Sequence, residues 1–469
     1  MAAKLHEECG IFAVSEGKTP LDVVTACYYG LFALQHRGQE GCGIAVNHSK
    51  NISLYRDLGL VSQVFTKDVL EKIPGGSMAV AHARYGTTGD NNRMNVQPLV
   101  INHKKGKMAL AHNGNLINDF ELRDELESKG SIFHTTSDSE VIAYIITKYR
   151  LQTSTIEQAV VKAMDEIKGA YSICVMTDEK LLVARDPRGF RPLVIGTLGD
   201  RFIFASETCA LDTVGATFLR DVEPGEVVSC VDGELVSDRT HCKKEPKSLC
   251  VFELLYFARP DSIIDSIPVL NARLRAGSFL ALEHPVQADV VIGVPDSGIT
   301  AAIGYSRQSG IPYGVGLIKN KYIGRTFIQP QQGQRDTGVK IKLNAIKSTV
   351  EGKRVVLIDD SIVRGTTSKR IVQLLRDAGA KEIHLRSSAP KFLYPCYFGT
   401  DIDSSENLMA YKYTDDEMKS LLGVDSLGFL STENVTKLSD TGIEGFCTAC
   451  FSGNYPIKNN KTKNKFRLE

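Results

Sequence analysis

The chain has 469 residues, more than one hydrophobic core usually supports, so its length predicts two domains. Its formal net charge is +1, which provides no overall field to attract nucleic acid or an anionic membrane. No apolar run reaches the ~20 residues that a membrane span needs, and residues 1–8 lack the apolar core of a secretion signal. We therefore expect a cytoplasmic protein without nucleic-acid or membrane partners.

Strand and helix patterns alternate in the first half of the chain. Strands are predicted at residues 43–46, 78–82, 108–112, 172–176, 181–184 and 202–205, and helices at residues 121–130, 138–149 and 155–168. The strands are short apolar runs, whereas the helices carry apolar residues at helical spacing behind capping residues. Strands grouped before and after helices indicate an α+β layered domain.

Cys9 precedes a short apolar run, and five further segments accompany it along the first half. They are residues 35–40 (QHRGQE), 82–88 (HARYGTT), 112–116 (HNGNL), 136–140 (TSDSE) and 186–193 (DPRGFRPL). Taken singly, Cys9 reads as a core residue, and Arg84 or Asp138 as a member of a surface ion pair. In this order the segments resemble the glutaminase domain of the class II amidotransferases, which use an N-terminal nucleophile.

This resemblance implies a four-layer αββα fold of the Ntn type and a role for each segment. Removal of residues 1–8 as a propeptide frees the α-amine of Cys9, whose reference pKa of about 7.7 to 8.0 suits an internal base. The thiolate attacks the side-chain amide of glutamine, and Asn113 and Gly114 stabilise the oxyanion. Arg84 binds the α-carboxylate and Asp138 the α-ammonium. The implied glutamine-binding residues are Arg37, Arg84, Thr87 and Asp138.

The pattern changes in a polar, Lys-rich stretch, which divides the chain into predicted domains over residues 9–240 and 241–469. Beyond it, strands and helices alternate singly. Strands are predicted at residues 290–294, 355–358 and 383–386, and helices at residues 299–307 and 371–378. Such βαβ units imply an α/β, doubly wound parallel sheet that binds ligands at the carboxyl ends of its strands.

The most informative motif is residues 355–367 (VVLIDDSIVRGTT), a strand followed by two carboxylates and a small-residue turn that opens a helix. The turn offers N–H groups, hydroxyls and a helix dipole to a phosphate, whereas Asp359 and Asp360 suit ribose hydroxyls or Mg²⁺. An ordinary strand-loop-helix unit is the alternative. The run resembles the phosphoribosyl-diphosphate (PRPP) signature of the type I phosphoribosyltransferases.

This second resemblance implies a pyrophosphate loop at residues 295–298 (PDSG) and a Mg²⁺ site at Ser297, Asp359 and Asp360. Residues 319–326 (KNKYIGRT) resemble the loop that orders over PRPP, with an exposed basic loop as the alternative. The implied PRPP-binding residues are Asp296, Ser297, Lys321, Arg325, Asp359, Asp360, Ser361, Arg364, Gly365, Thr366 and Thr367.

Eleven cysteines, an odd number spread over a long chain, favour thiols and metal ligands over a disulfide framework. Cys447 and Cys450 form a C-x-x-C motif, and Cys250 and Cys396 provide two further thiols. Their positions resemble the [4Fe-4S] ligands of one amidotransferase branch, whose members also carry a propeptide. Four thiolates suit a cluster or a zinc ion, and the resemblance favours a cluster in a structural role.

The two halves together resemble the glutamine-PRPP amidotransferase family. The implied reaction converts PRPP, glutamine and water to 5-phosphoribosylamine, glutamate and pyrophosphate, the first committed step of purine (IMP) synthesis. The family also implies inhibition by purine nucleotides and a homotetramer. The alternatives are another class II glutamine amidotransferase and a non-catalytic, PRPP-sensing purine regulator.

Overall fold

A computed structural model of the chain describes residues 9–86, 92–320, 343–402, 404–439, 442 and 444–458. Within these ranges, no helix combines the length and the apolar character that crossing a membrane requires. Antiparallel sheets occupy the first half, and a parallel sheet begins at residue 290. The predicted division at residue 240 lies between these two parts and stays a prediction.

The first half contains thirteen strands and seven α-helices among its described residues. The strands are β1 (Gly10–Val14), β2 (Gly41–His48), β3 (Asn51–Leu58), β4 (Met78–Arg84), β5 (Leu99–His103), β6 (Gly106–Leu116), β7 (Gly169–Thr177), β8 (Leu181–Arg185), β9 (Val194–Leu198), β10 (Arg201–Ala205), β11 (Thr217–Asp221), β12 (Val227–Val231) and β13 (Glu234–Asp238). The helices are α1 (Val23–Ala33), α2 (Val61–Val64), α3 (Lys67–Leu70), α4 (Asp119–Ser128), α5 (Asp138–Arg150), α6 (Ile156–Glu166) and α7 (Thr208–Val214), with a 3₁₀ turn at Arg93–Asn95.

Two antiparallel sheets lie face to face in this half, in the orders β11-β9-β10-β1-β4-β2-β3 and β13-β12-β8-β7-β6-β5. Side chains alternate along each strand, so each sheet has two faces to bury. Ile11 and Val80 of the first sheet share a core with Ala111 and Met176 of the second. The outer faces are covered by α1 and α7 on one side and by α5 and α6 on the other. The predicted αββα architecture is confirmed.

The second half contains ten strands and eight α-helices among its described residues. The strands are β14 (Leu249–Cys250), β15 (Ile263–Ile264), β16 (Ile267–Pro268), β17 (Val290–Gly293), β18 (Leu317–Lys319), β19 (Leu343–Ala345), β20 (Arg354–Asp359), β21 (Glu382–Ser387), β22 (Ser426–Phe429) and β23 (Phe446–Cys447). The helices are α8 (Val269–Glu283), α9 (Gly298–Ser309), α10 (Lys347–Val350), α11 (Thr366–Asp377), α12 (Met409–Lys412), α13 (Asp415–Leu422), α14 (Thr432–Val435) and α15 (Ala449–Ser452), with a π-helix at Glu253–Phe257 and a 3₁₀ turn at Ser405–Asn407.

The parallel sheet has the order β17-β20-β21-β22, and Tyr313 forms a parallel bridge with Val291 of β17. The segment at Tyr313 therefore lies along one edge of β17, and the chain then returns along the other edge of β17 as β20. Helix α9 packs with Val291 and Val356 on one face, whereas α11 packs with Ile292 and Leu357 on the opposite face. This is the predicted doubly wound sheet, and its order reverses between β17 and β20, where ligands bind in such folds.

Candidate active site

Cys9 lies at the start of β1, which runs between β10 and β4 in the seven-stranded sheet. The residue is only 8% exposed, and its Sγ donates a hydrogen bond to the Tyr85 carbonyl at 3.4 Å. Gly10 pairs with Ala83 of β4, so the thiol lies beside the carboxyl end of β4 and Arg84. The fold thus brings the proposed nucleophile and the proposed carboxylate ligand together.

The predicted oxyanion hole belongs to β6, in the facing sheet. Asn113 is 1% exposed, and its Nδ2 is buried without a hydrogen-bond partner among the residues that the structure describes. A buried donor in this state costs about 1–3 kcal/mol, so the amide suits a ligand that brings its own acceptor. Gly114 has φ +143°, and a Cβ there would lie 2.1 Å from the Ala170 carbonyl oxygen. Only glycine fits this backbone.

Two buried histidines connect this strand to the nucleophile's sheet. The Nε2 of His82 on β4 lies 3.0 Å from the His112 carbonyl, immediately before Asn113. The Nδ1 of His112 lies 3.1 Å from Ser139 Oγ in the first turn of α5. The oxyanion strand, the nucleophile's sheet and α5 are therefore joined at residues adjacent to the proposed ligands.

The proposed glutamine ligands Arg84 and Asp138 are both nearly buried, at 3% and 6% exposure. Arg84 Nη1 lies 3.8 Å from Glu40 Oε2. Asp138 begins α5, where its Oδ2 accepts a hydrogen bond from the Leu116 N–H at 2.9 Å. Thr87 lies outside the described residues.

Arg37 lies beside the nucleophile and pairs with one carboxylate from each half of the chain. Its guanidinium is buried, and Nε donates to the carbonyl oxygen of Cys9 at 3.0 Å. Its Nη1 donates to Glu207 at 2.7 Å, and both Nη atoms donate to Glu253 at 2.9 and 2.7 Å. These contacts hold the guanidinium beside the Cys9 carbonyl, and the glutamine-binding role of Arg37 stays a prediction.

We expect Asn113→Ala to lower kcat for glutamine hydrolysis about 10²- to 10³-fold, because one oxyanion donor contributes roughly 2.7–4 kcal/mol to the transition state. The KM for glutamine should change little, since the bond strengthens only as the oxyanion forms. Steady-state glutamate release measures both constants. Asn47→Ala is the matched control, because this buried asparagine donates to Thr177 and Asp178 carbonyls elsewhere in the sheets. A higher KM for glutamine with an unchanged kcat would contradict the assigned role of Asn113.

Burial lowers the pKa of His82 to about 3, so the folded protein holds it neutral. The unfolded chain protonates this ring near pH 6.5, so stability is lost as pH falls from 6.5 toward 3. Between pH 7 and pH 5 we expect His82 to account for about 2 kcal/mol of lost unfolding free energy. Urea denaturation of wild type and His82→Gln at both pH values measures it. Equal pH dependence in the two proteins would contradict this prediction.

The second predicted site lies at the reversal point of the parallel sheet. Asp359 ends β20 and Asp360 follows it, and the two residues are 6% and 8% exposed. The hydroxyl of Ser297, in the loop after β17, donates a hydrogen bond to Asp360, and Ser361 donates to the same carboxylate at 2.7 Å. Ser368 of α11 donates to Asp359 at 3.4 Å. The structure therefore brings Ser297, Asp359 and Asp360 together from separate loops.

Glycines let the neighbouring backbones approach this site. A Cβ at Gly298 would lie 2.5 Å from the Ile358 carbonyl oxygen, so the loop after β17 needs a glycine beside β20. Gly365 precedes α11 with φ +74° and has Met409 Sδ against it. The exposed Asp296 accepts a hydrogen bond from Lys319 Nζ at 2.7 Å. Among the predicted PRPP ligands, Arg364 and Thr367 are half-buried and Thr366 is exposed, whereas Lys321 and Arg325 lie outside the described residues.

Arg273 of α8 was missed by the sequence motifs. Its guanidinium donates to the carbonyls of Leu254, Tyr256 and Ala258, at the π-helix that follows the domain division. Burial lowers its pKa to about 10, and the charge of Asp360 opposes that shift. The sequence does show an arginine at a core-facing position of a helix. Such a residue occurs in several folds, so it does not by itself predict the contacts of Arg273.

The four motif cysteines converge from three separate segments. Cys250 of β14 pairs in register with Cys447 of β23, and the Cys450 carbonyl accepts hydrogen bonds from residues 393 and 394, just before Cys396. Burial and the neighbouring thiols of Cys396, Cys250 and Cys447 raise the pKa of Cys450. Across the described ranges, no group of three or more His, Cys, Asp and Glu side chains is arranged to hold a metal ion.

These two sites define a glutamine amidotransferase joined to a phosphoribosyltransferase. A family model for the glutamine amidotransferase domain matches residues 82–213, and one for the phosphoribosyl transferase domain matches residues 271–391. The chain is 47% identical to the amidophosphoribosyltransferase of Methanocaldococcus jannaschii, over 97% of this chain and 99% of that protein. It is 48% identical to the Bacillus subtilis amidophosphoribosyltransferase, over 97% and 95%.

A solved structure of the Bacillus subtilis glutamine PRPP amidotransferase, complexed with ADP and GMP, superposes with a TM-score of 0.90. The two chains are 45% identical, and the match covers 98% of this chain and all of the other. The chain belongs to the amidophosphoribosyltransferase family.

Proposed function

We propose that this chain forms 5-phosphoribosylamine, glutamate and pyrophosphate from PRPP, glutamine and water, the first committed step of purine synthesis. The observation that carries the proposal is the presence of both half-sites in one chain that matches amidophosphoribosyltransferases over nearly its whole length. The alternatives each lack one half-site. Another class II amidotransferase would not carry the site around Asp359 and Asp360, and a regulator would not carry the site around Cys9.

In the first half-reaction, removal of residues 1–8 frees the α-amine of Cys9. The amine takes the thiol proton, and the thiolate attacks the amide carbon of glutamine. Asn113 Nδ2 and the Gly114 N–H stabilise the oxyanion. The amine then protonates the departing nitrogen, and water hydrolyses the thioester to release glutamate. Arg84 and Asp138 select glutamine by its α-carboxylate and α-ammonium.

In the second half-reaction, the turn from Arg364 to Thr367 and the N-terminus of α11 bind the 5-phosphate through N–H groups and hydroxyls. Asp359 and Asp360 take ribose hydroxyls, and Ser297 with both carboxylates would hold Mg²⁺. The three oxygen-bearing side chains suit this hard cation, which neutralises the leaving pyrophosphate when bound. Ammonia attacks C1 of ribose as the bond from C1 to the pyrophosphate oxygen breaks, and the new ammonium then loses a proton.

The test of this function is PRPP-dependent glutamine hydrolysis coupled to pyrophosphate release. We expect glutamate and pyrophosphate in equal amounts, and a dependence of both on PRPP, glutamine and Mg²⁺. Glutamate release without any effect of PRPP would indicate the first alternative, and no turnover would indicate the second. Mass analysis of the active protein should find Cys9 at the N-terminus.

We further propose that Cys250, Cys396, Cys447 and Cys450 hold a structural [4Fe-4S] cluster. Support comes from their convergence and from the Phe398 N–H, which donates to Cys396 Sγ at 3.4 Å. Neither half-reaction transfers electrons, so the cluster would tie the C-terminal segment at β23 to β14. Zinc is the competing occupant.

Anaerobically purified protein should contain about four iron atoms and four acid-labile sulfides per chain. Cys450→Ser should lose most of the iron and unfold at a lower temperature than wild type. Cys230→Ser is the matched control, because this half-buried thiol of β12 packs against the core between the two sheets of the first half, whereas the four motif cysteines pack in the core of the second half; it should leave the iron content unchanged. One zinc per chain without iron would contradict the cluster.

The remaining predictions belong to the same proposal. Purine nucleotides as inhibitors gain support from the solved relative, which was complexed with ADP and GMP. A homotetramer and the domain limits 9–240 and 241–469 stay predictions. A cytoplasmic location is in keeping with the eleven cysteines, all of which lie in the described residues and outside any disulfide.

A further inference from the structure

Glu253 connects the two halves of the molecule directly behind the nucleophile. It begins the π-helix in the second half, and its carboxylate is fully buried. Both of its oxygens accept hydrogen bonds from Arg37 of the first half, at 2.9 and 2.7 Å. Arg37 in turn donates to the Cys9 carbonyl at 3.0 Å. A carboxylate of the second half is therefore two hydrogen-bonding steps from the residue that attacks glutamine.

The same carboxylate contacts a third segment. Glu253 Oε1 also accepts a hydrogen bond from Arg191 Nη1 at 3.3 Å, and Arg191 Nη2 donates to the Phe398 carbonyl at 2.6 Å. Phe398 stacks on Phe190 with ring centroids 4.4 Å apart. Because Arg37, Arg191 and Glu253 are all buried, water cannot replace these bonds cheaply. Two arginines of the first half thus fix the carboxylate of Glu253, and one of them also bonds to a second segment of the second half.

We propose that Glu253 is a positioning residue for the glutaminase reaction, and that it orients Cys9 through Arg37. The inference rests on the proposed role of Cys9 as an N-terminal nucleophile. A hydrogen bond to the Cys9 carbonyl fixes the peptide plane between Cys9 and Gly10, and this plane contains the Cα that carries both the α-amine and the thiol. The second half of the molecule thereby supplies part of the geometry of the first active site.

Charge adds a second consequence. Removing the negative charge of Glu253 disfavours the protonated α-amine, so the amine loses its proton at lower pH. The charged and titratable groups around Cys9 come from every neighbouring element. They are Arg37 and His36 after α1, Glu40 near β4, His82 and Arg84 on β4, His112 on β6, Asp138 on α5, Arg191 before β9, Glu207 before α7 and Glu253 on the π-helix. Among these groups, Glu253→Gln changes only the charge at residue 253.

The test compares Glu253→Gln with Asp265→Asn in the full-length protein. Asp265 is the matched control, because it accepts two hydrogen bonds from buried Arg185 across the same two halves, at 2.7 and 3.0 Å. For Glu253→Gln we expect kcat for glutamine hydrolysis to fall about tenfold, with KM for glutamine within about twofold. The acid limb of the pH profile should move to lower pH by about half a unit. Synthesis from added ammonia should persist, and Asp265→Asn should leave all four readouts unchanged.

Alkylation of Cys9 by iodoacetamide, located by peptide mass spectrometry, reads the same geometry without turnover. Its pH dependence should shift in Glu253→Gln and not in Asp265→Asn. If the pH dependence of Cys9 alkylation is the same in Glu253→Gln as in wild type, the inference is overturned. This result holds even if wild type proves inactive toward glutamine and the proposed function fails. If Glu253→Gln is insoluble, Glu253→Asp replaces it, since it keeps the charge and shortens the reach. It should lower kcat and leave the acid limb in place, and an unchanged kcat would overturn the inference.

Discussion

Cys9→Ala should abolish glutamine-dependent synthesis of phosphoribosylamine, with a loss of at least about 10⁴-fold, while synthesis from added ammonia stays within about twofold of wild type. The thiol is the only nucleophile assigned to the glutaminase site, so its loss removes the covalent step. The ammonia reaction uses the site at β17 and β20, in the other half of the chain. Pyrophosphate release with glutamine or with ammonium chloride as nitrogen donor measures both rates.

Cys27→Ala provides the control for Cys9→Ala. Cys27 is another fully buried thiol of the first half, on α1, and burial raises its pKa, so it is not a reactive thiolate. This variant should keep both activities and lose only some stability. Equal losses of the glutamine and ammonia reactions in Cys9→Ala would contradict the separation of the two sites.

Sequence reasoning placed residues on the observed strands and turns where the relevant pattern is local. Asp359, Asp360 and the turn at Gly365 follow one strand in one short run, and the strand-loop-helix order alone puts them at a sheet edge. Asn113 and Gly114 are adjacent, so a single backbone conformation at Gly114 supports both proposed donors. For such motifs, the spacing of apolar residues and the residue types at turns are enough to place the residues on their strands and helices.

Interactions between distant segments could not be predicted in this way. Arg37 reads like a surface or ligand residue, and its two carboxylate partners lie 170 and 216 positions further along the chain. From the sequence, Arg37, Glu207 and Glu253 could each equally well belong to an exposed ion pair. Their burial depends on how the π-helix of the second half docks on the first, which no local pattern specifies. The contacts of Arg37 with Glu207 and Glu253 are therefore information from tertiary packing.

The same reasoning explains why the paired carboxylates behave as one site with Ser297. Sequence alone left Asp359 and Asp360 open to an ordinary acidic loop. The fold adds a serine from the loop after β17, whose hydroxyl reaches Asp360 because the sheet order reverses between these strands. A hydroxyl and two carboxylates at a switch point are an oxygen-rich set that an acidic surface loop would not assemble.

Asp360→Asn should therefore lower synthesis from both glutamine and ammonia by at least about 10³-fold, because it removes charge from the proposed Mg²⁺ and ribose site. Asn has nearly the shape of Asp, so the fold should persist. Asp289→Asn is the matched control, since Asp289 is an exposed carboxylate just before β17 that pairs with Arg354 at the amino ends of β17 and β20, away from the proposed site at their carboxyl ends. Rates measured across a range of Mg²⁺ should show a raised metal requirement in Asp360→Asn only. If synthesis from ammonia survived while synthesis from glutamine was lost, Asp360 would belong to communication between the halves, and PRPP binding would depend on other residues.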